Sequence, residues 1–218
     1  MRALGSSFLV IFAALFPIIN PPGTALMFLA MTRRVTRAQR RELAKQVAIY
    51  AFVIISASLY IGAFVLSLFG VSLPVLRVAG GWVVAFTGWQ LLNASAGDRE
   101  PVAHMNPESG GPARRAFYPL TMPLTTGPGT IAVTIALGTG RPKEVALLTA
   151  FAAGTLLATL AIAVIIYVCY AQADRIEGVL GETGSEALER FFAFILVCIG
   201  VQIFWTGFAD LWASLPAR

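Results

Sequence analysis

Charge is scarce in this sequence. Only 12% of its residues are Asp, Glu, Lys or Arg, against 57% hydrophobic residues and a mean hydropathy of +0.77. Soluble domains carry about 25% charged residues, so a globular enzyme with a solvated surface is excluded. There is one histidine, His104, and it lies in a polar stretch rather than an apolar run. The two cysteines, Cys169 and Cys198, both lie in apolar runs, where they read as small packing residues. That usage excludes a disulfide framework and offers no metal-binding spacing. No nucleophile–base pair or metal cluster falls in the apolar runs, which leaves an intramembrane enzyme without machinery. No cofactor or metal is expected. A net charge of +5 and a pI near 9.7 would suit nucleic acid, but the positive residues are placed otherwise, and no nucleic-acid partner is expected.

What is present is apolar sequence in long runs. Six stretches, 3–32, 47–69, 78–97, 116–140, 145–173 and 191–209, have no charged residue for 19 or more positions. A spanning helix needs roughly 20 residues. The expected fold is therefore an all-α integral membrane protein with six transmembrane spans and the lipid bilayer as its main partner. Arg2 before the first run would also suit a signal peptide, but the run is too long and is interrupted by prolines.

Lys and Arg concentrate on the cytoplasmic side of a membrane protein. With six spans, one side carries Arg2, Arg77, Arg141, Lys143 and Arg218, 5 in all, and the other carries 11, including Arg33, Arg34, Arg37, Arg40, Arg41 and Lys45. Both termini are expected outside, on the periplasmic face of a bacterial inner membrane. The Arg33–Lys45 cluster reads as a topology anchor, with anionic-lipid binding as a secondary use.

Residues 97–115, rich in Gly, Pro and charged residues, read as a cytoplasmic linker between residues 1–96 and 116–218. A second polar stretch, 174–189, reads as a loop with a solvated turn at Gly181-Glu182-Thr183-Gly184. Each half has three spans, and the halves repeat. Pro17-Ile18-Ile19-Asn20-Pro21-Pro22-Gly23-Thr24 matches Pro123-Leu124-Thr125-Thr126-Gly127-Pro128-Gly129-Thr130, 106 positions on. Gly88-Trp89-Gln90 matches Gly200-Val201-Gln202, 112 positions on. An odd number of spans per repeat forces the halves into opposite orientations, the inverted-repeat plan of several secondary transporters.

Helix breakers in the middle of apolar runs need a reason. Residues 3–32 would make a helix of about 45 Å at 1.5 Å per residue, against a hydrocarbon core of about 30 Å. Proline removes a backbone donor and clashes with the preceding turn, and it pushes the residue before it out of the helical region. Spans one and four are therefore expected to be broken helices or re-entrant hairpins. A break frees carbonyls on one side and amides on the other, and these cannot face lipid. Freed amides at a helix start attract a carboxylate, while freed carbonyls suit an ammonium or a metal cation. Two breaks meeting at membrane depth would hold a zwitterion at both ends. The candidate binding residues are Asn20, Pro21, Gly23, Thr24, Thr125, Thr126, Gly127, Pro128, Gly129 and Thr130.

Other features are less specific. Gln90, Asn93 and Gln202 either line the pathway or form interhelical hydrogen bonds. Ala146, Ala150, Gly154 and Ala158 recur every four residues and form a close-packing stripe against this subunit or another, so a homo-oligomer is one outcome. Trp82, Trp89, Trp205 and Trp212 are either interface anchors or pathway linings. No carboxylate or histidine lies in the core of a span, the usual place for a proton relay. Coupling to H⁺ or Na⁺ would then use backbone and hydroxyl oxygens, or residues at span edges such as Glu42 and Asp210.

The run Phe16–Gly23 together with Pro119–Thr130 resembles the MarC family of small bacterial and archaeal inner-membrane proteins. The likeness covers length, six spans, linker position and both motifs, here Asn20-Pro21-Pro22-Gly23 and Gly127-Pro128-Gly129-Thr130. It implies transport of small neutral amino acids such as glycine and alanine, with the two motifs as discontinuous helices around the substrate. By that match Asn20, Pro21, Gly23, Gly127, Pro128 and Gly129 are site positions. The sequence thus leads to a secondary transporter working by alternating access, with a passive channel or facilitator for a small solute as the other reading.

Overall fold

A computed structural model describes residues 2–93, 112–142 and 144–214. Most of the 97–115 linker, with His104, lies outside the described residues. The described elements are all helical. They are α1 (Arg2–Ile19), α2 (Pro21–Met31), α3 (Arg37–Leu68), α4 (Leu73–Asn93), α5 (Pro112–Arg115), a π-helical segment (Ala116–Thr125), α6 (Pro128–Gly138), α7 (Val145–Ala171) and α8 (Ala173–Ala213). Five stretches are long and apolar enough to cross a membrane, α1 with α2 counting as one of 29 residues. A sixth is the pair Ala113–Thr125 and Pro128–Gly138, bent by 69° between them.

Local chemistry explains where these helices start and stop. Thr36 and Gln39 cap α3 reciprocally, the Thr36 hydroxyl accepting from the Gln39 amide and the Gln39 side chain accepting from the Thr36 amide. Pro21 and Pro22 open α2, where their missing N–H groups cost nothing. The polar stretch 174–189 is not a loop. It is helical from Ala173, and only Gly181, at φ 65° and ψ −179°, interrupts it. The stretch has no proline to stop a helix, Asp174 sits in the first turn where the helix dipole favours it, and glycine alone takes that positive φ without strain.

Small residues bring the helices to backbone contact. A side chain at Gly81 would meet the Gly200 carbonyl at 2.7 Å, and one at Gly88 would meet the Val197 amide at 2.7 Å. Gly200 lies in turn against Ala85, so α4 and α8 touch along their lengths. A side chain at Gly154 would meet the Leu4 carbonyl at 2.5 Å. The small-residue stripe of α7 therefore packs on α1 of the same chain at Gly154, and Ala158 beside it is fully buried. Such close approach is how membrane helices associate when lipid is as apolar as their side chains.

The interior is built from Ile11, Leu15, Phe28, Ile55, Leu120, Ile162, Ile166 and Tyr170, all nearly inaccessible. The outside is apolar too. Phe64, Phe69, Val145, Phe191 and all four tryptophans, Trp82, Trp89, Trp205 and Trp212, are exposed. Lipid is the solvent that suits such a surface. The tryptophans belong to that outer surface rather than to an interior path.

Ion pairs sit at both ends. Arg33 pairs with Glu177 and Arg40 with Asp174, joining the turn before α3 and the start of α3 to the start of α8. At the far end of α3's length, Arg77 near the start of α4 pairs with Asp210 near the end of α8 at 2.6 Å. The first loop and the α7–α8 junction therefore share one face, as an even number of spans requires.

Candidate functional site

The first proline motif is held by one residue. Asn20 takes the left-handed conformation, φ 48° and ψ 61°, which asparagine tolerates better than most residues. Its side-chain oxygen accepts from the Gly23 amide at 3.2 Å, and its carbonyl accepts from the Thr24 amide and, at 2.9 Å, from the Thr24 hydroxyl. A side chain at position 23 would overlap the Asn20 amide, so glycine is required there. Pro21 and Pro22 have no N–H for the carbonyls of Pro17 and Ile18, and Gly23 has turned its own to Asn20. Motif one therefore presents carbonyls, and its amides are already used.

The second motif is built differently. Tyr118 and Met122, each preceding a proline, are extended, and the turns between them widen to π geometry. Buried threonine hydroxyls bond five residues back, Thr121 to Ala116 at 2.7 Å, Thr125 to Leu120 at 2.7 Å and Thr126 to Thr121 at 3.2 Å. They serve carbonyls in a segment where Pro119 and Pro123 donate nothing. Gly127 then caps α6 through its backbone, its carbonyl accepting from the Ile131 amide, with no side-chain cap. After Pro128, the amides of Gly129 and Thr130 are the donors that α6 itself leaves unused. Gly129 is buried against the Val84 side chain of α4, while Pro128 is exposed. Thr130 is buried, and its carbonyl accepts from the Thr134 hydroxyl.

The two motifs meet at a residue that neither contains. Tyr170 of α7 is completely buried, and its phenol bonds the Thr125 hydroxyl at 2.8 Å. The Thr24 hydroxyl is a second polar neighbour of the same phenol. Phe28 of α2 stacks on the ring with centroids 4.5 Å apart, and α2 packs directly on the π segment. Thr24 and Thr125 are thus brought together, with Gly23 next to Thr24 and Asn20 one turn before it. Sequence reasoning missed Tyr170. A tyrosine at the end of an apolar run reads like an interface anchor, and nothing local marks it as central.

Of the polar residues in spans, Gln90 and Asn93 are exposed, and Asn93 bonds only back to the Trp89 carbonyl among the contacts seen. Gln202 is also exposed and lies 3.4 Å from the Thr206 hydroxyl, in a cleft described below. At the α3 start, Arg40 is only 7% exposed. It grips both carboxylate oxygens of Asp174 at 2.6 and 2.7 Å, and donates to the Thr32 hydroxyl and carbonyl. This closes the α2 end of the molecule with a guanidinium bonded at all three nitrogens. Among the described residues no group of His, Cys, Asp and Glu is arranged to hold a metal.

The sequence model of the MarC family of integral membrane proteins matches residues 5–212. The chain belongs to the MarC family. Among MarC relatives, the inner membrane protein MarC of Salmonella typhimurium is 32% identical over 225 residues, covering 96% of each chain. That of Citrobacter koseri is also 32% identical over 225 residues, and that of Escherichia coli is 33% identical over 215 residues. No solved structure matches the chain significantly. With its apolar helices and these relatives, the chain is a multi-pass inner-membrane protein of the MarC family.

Proposed function

We propose that this MarC-family protein is a secondary transporter for small neutral amino acids such as glycine and alanine, working by alternating access. In this reading residues 1–96 and 116–218 are inverted three-helix repeats, joined by a cytoplasmic linker, with both termini outside. Spans one and four are the discontinuous helices, and Asn20, Pro21, Gly23, Thr24, Thr125, Thr126, Gly127, Pro128, Gly129 and Thr130 surround the substrate. The observation that carries the reading is the meeting of the two motifs at Tyr170, through Thr24 and Thr125, with backbone groups of both kinds left unused in the motifs. Carbonyls of Pro17 and Ile18 suit an ammonium, and the amides of Gly129 and Thr130 suit a carboxylate. A neutral amino acid has both.

The packing of the helices supports the repeat. Exchanging the halves pairs α1–α2 with the π segment and α6, α3 with α7, and α4 with α8. Under that exchange the contact of α1 with α7 becomes that of the π segment and α6 with α3, and the contact of α2 with α8 becomes that of α6 with α4; all are made. The α3–α7 and α4–α8 contacts map onto themselves.

The test is counterflow in proteoliposomes. Radiolabelled glycine uptake should be saturable and accelerated by unlabelled glycine inside. Linear, unsaturable flux would instead support a passive channel. Replacing Na⁺ with choline, and separately adding a protonophore, assigns the coupling ion, since either Na⁺ or H⁺ coupling predicts loss of accumulation in only one of the two conditions.

A further inference from the structure

The motifs do not account for the opposite end of the molecule, where two clefts open. The larger, about 530 Å³, is lined by Ser6, Ser7, Thr139 and Gly140 among others. The second, about 340 Å³, runs between α1, α6 and α8, where Ile18, Gln202 and Thr206 line it. Small-molecule sites occupy about 300–1,000 Å³. Both clefts share Arg77, Ala136 and Leu137, so they meet there. The path runs from the hydroxyl-lined mouth past Arg77 to Ile18, whose carbonyl Pro22 leaves without a helical donor.

We propose that this path is a vestibule in which Arg77 captures the carboxylate of the incoming amino acid before it reaches the proline motifs. The proposal rests on the transport reading above. Arg77 is the charged residue lining both clefts, and its side chain is 28% exposed. Its bond to Asp210 uses one guanidinium nitrogen, and that partner is more exposed than Arg77 itself. A substrate carboxylate can replace Asp210 in a charge-assisted pair without stranding a buried charge. The ammonium end has acceptors nearby. The hydroxyls of Ser6 and Ser7 spend their protons on the Ala3 carbonyl, and that of Thr139 on the Ala136 carbonyl, so each retains acceptor lone pairs. The C-terminal end of α6, at Gly138–Gly140, adds the negative end of a helix dipole. The contrast with Arg40 is instructive. That guanidinium is bonded at all three nitrogens and buried, whereas Arg77 is bonded to Asp210 at one and faces open space.

Kinetics of glycine counterflow test the assignment. Arg77→Gln should raise the half-saturating glycine concentration about tenfold with the maximal rate little changed, and Arg77→Lys should recover part of the loss. Asp210→Asn frees the guanidinium and should lower the half-saturating concentration. If the pair is only a strut, Arg77→Gln and Asp210→Asn will weaken the protein alike and leave half-saturation where it was, which overturns the proposal. Should Arg77→Gln fail to fold, Asp210→Asn decides alone, and an unchanged or raised value counts against capture. A second readout does not need transport. Modification of Arg77 by phenylglyoxal, followed by peptide mass spectrometry, should be slowed by glycine and by acetate but not by methylamine. Absence of protection overturns the vestibule. Protection without any counterflow keeps it and removes the transport reading instead.

Discussion

Motif one and motif two share Pro-x4-Pro-Gly-Thr, yet they treat their backbone amides differently. At Pro17–Thr24 a single left-handed Asn20 interrupts the path, its side chain takes up the Gly23 amide, and carbonyls are left over. At Pro123–Thr130 the Thr125 and Thr126 hydroxyls bond the Leu120 and Thr121 carbonyls one turn back, the chain bends by 69°, and the amides at the start of α6 are left over. The four residues between the outer prolines decide this. Ile18, Ile19 and Asn20 put one capping amide on the α2 side, whereas Thr125 and Thr126 put two hydroxyls on the π side. In the proposed reading motif one supplies carbonyls and motif two supplies amides, and a single zwitterion needs both.

Substitutions can break this contrast at either end. The largest effect is expected from Gly129→Leu, which drives a side chain into Val84 beside the α6 amides, and from Gly23→Leu, which displaces the Asn20 cap. Each should abolish glycine counterflow while the protein still elutes as a single species from a sizing column. Full transport in either variant places the substrate elsewhere. Tyr170→Phe removes the phenol that ties the motifs together. Losing a buried hydrogen bond costs about 1–3 kcal/mol, or a melting shift of roughly 2–4 °C per kcal/mol for a chain of this size. A melting temperature equal to the wild type would mean that the motifs are energetically independent. Smaller effects separate the two breaks. Asn20→Ala loses a cap worth about 1 kcal/mol, and Asn20→Gly only a few tenths, because glycine keeps the left-handed backbone. Thr126→Ala should lie between them, since the Thr121 carbonyl keeps the Thr126 amide at 2.8 Å. Equal melting curves for Asn20→Ala and Asn20→Gly would show that the left-handed conformation does not hold motif one.

Much of this arrangement is legible in the residues themselves. Prolines in charge-free runs mark the breaks because their effect is local, and a proline acts on its own turn whatever packs around it. The charge-free runs mark the helices because a bilayer leaves little choice. The repeat is visible because Pro-Gly-Thr is rare enough to recognise twice. Four things were not legible. The helicity of 174–189 was hidden by a polar composition that also suits loops, and only Gly181 turned out to be a break. Tyr170 meets Thr125 across 45 positions, and Arg40 meets Asp174 across 134. Such pairs are set by how α7 and α8 dock, not by any spacing along the chain. The role of Gln202 depends likewise on the groove formed by α1, α6 and α8. That the two motifs would differ in which backbone groups they free also escaped the sequence, because it turns on a hydrogen bond between the Asn20 side chain and one amide.

The central claim is that one small amino acid is held between the two motifs. Single-cysteine proteins carrying Thr24→Cys or Thr130→Cys, with Cys169 and Cys198 replaced by serine, report on each side separately. The rate of labelling by a membrane-permeant maleimide should fall on adding glycine at both positions, with the same half-effective concentration. Labelling rates that glycine leaves unchanged at both positions, in protein that still shows glycine counterflow, would contradict the account.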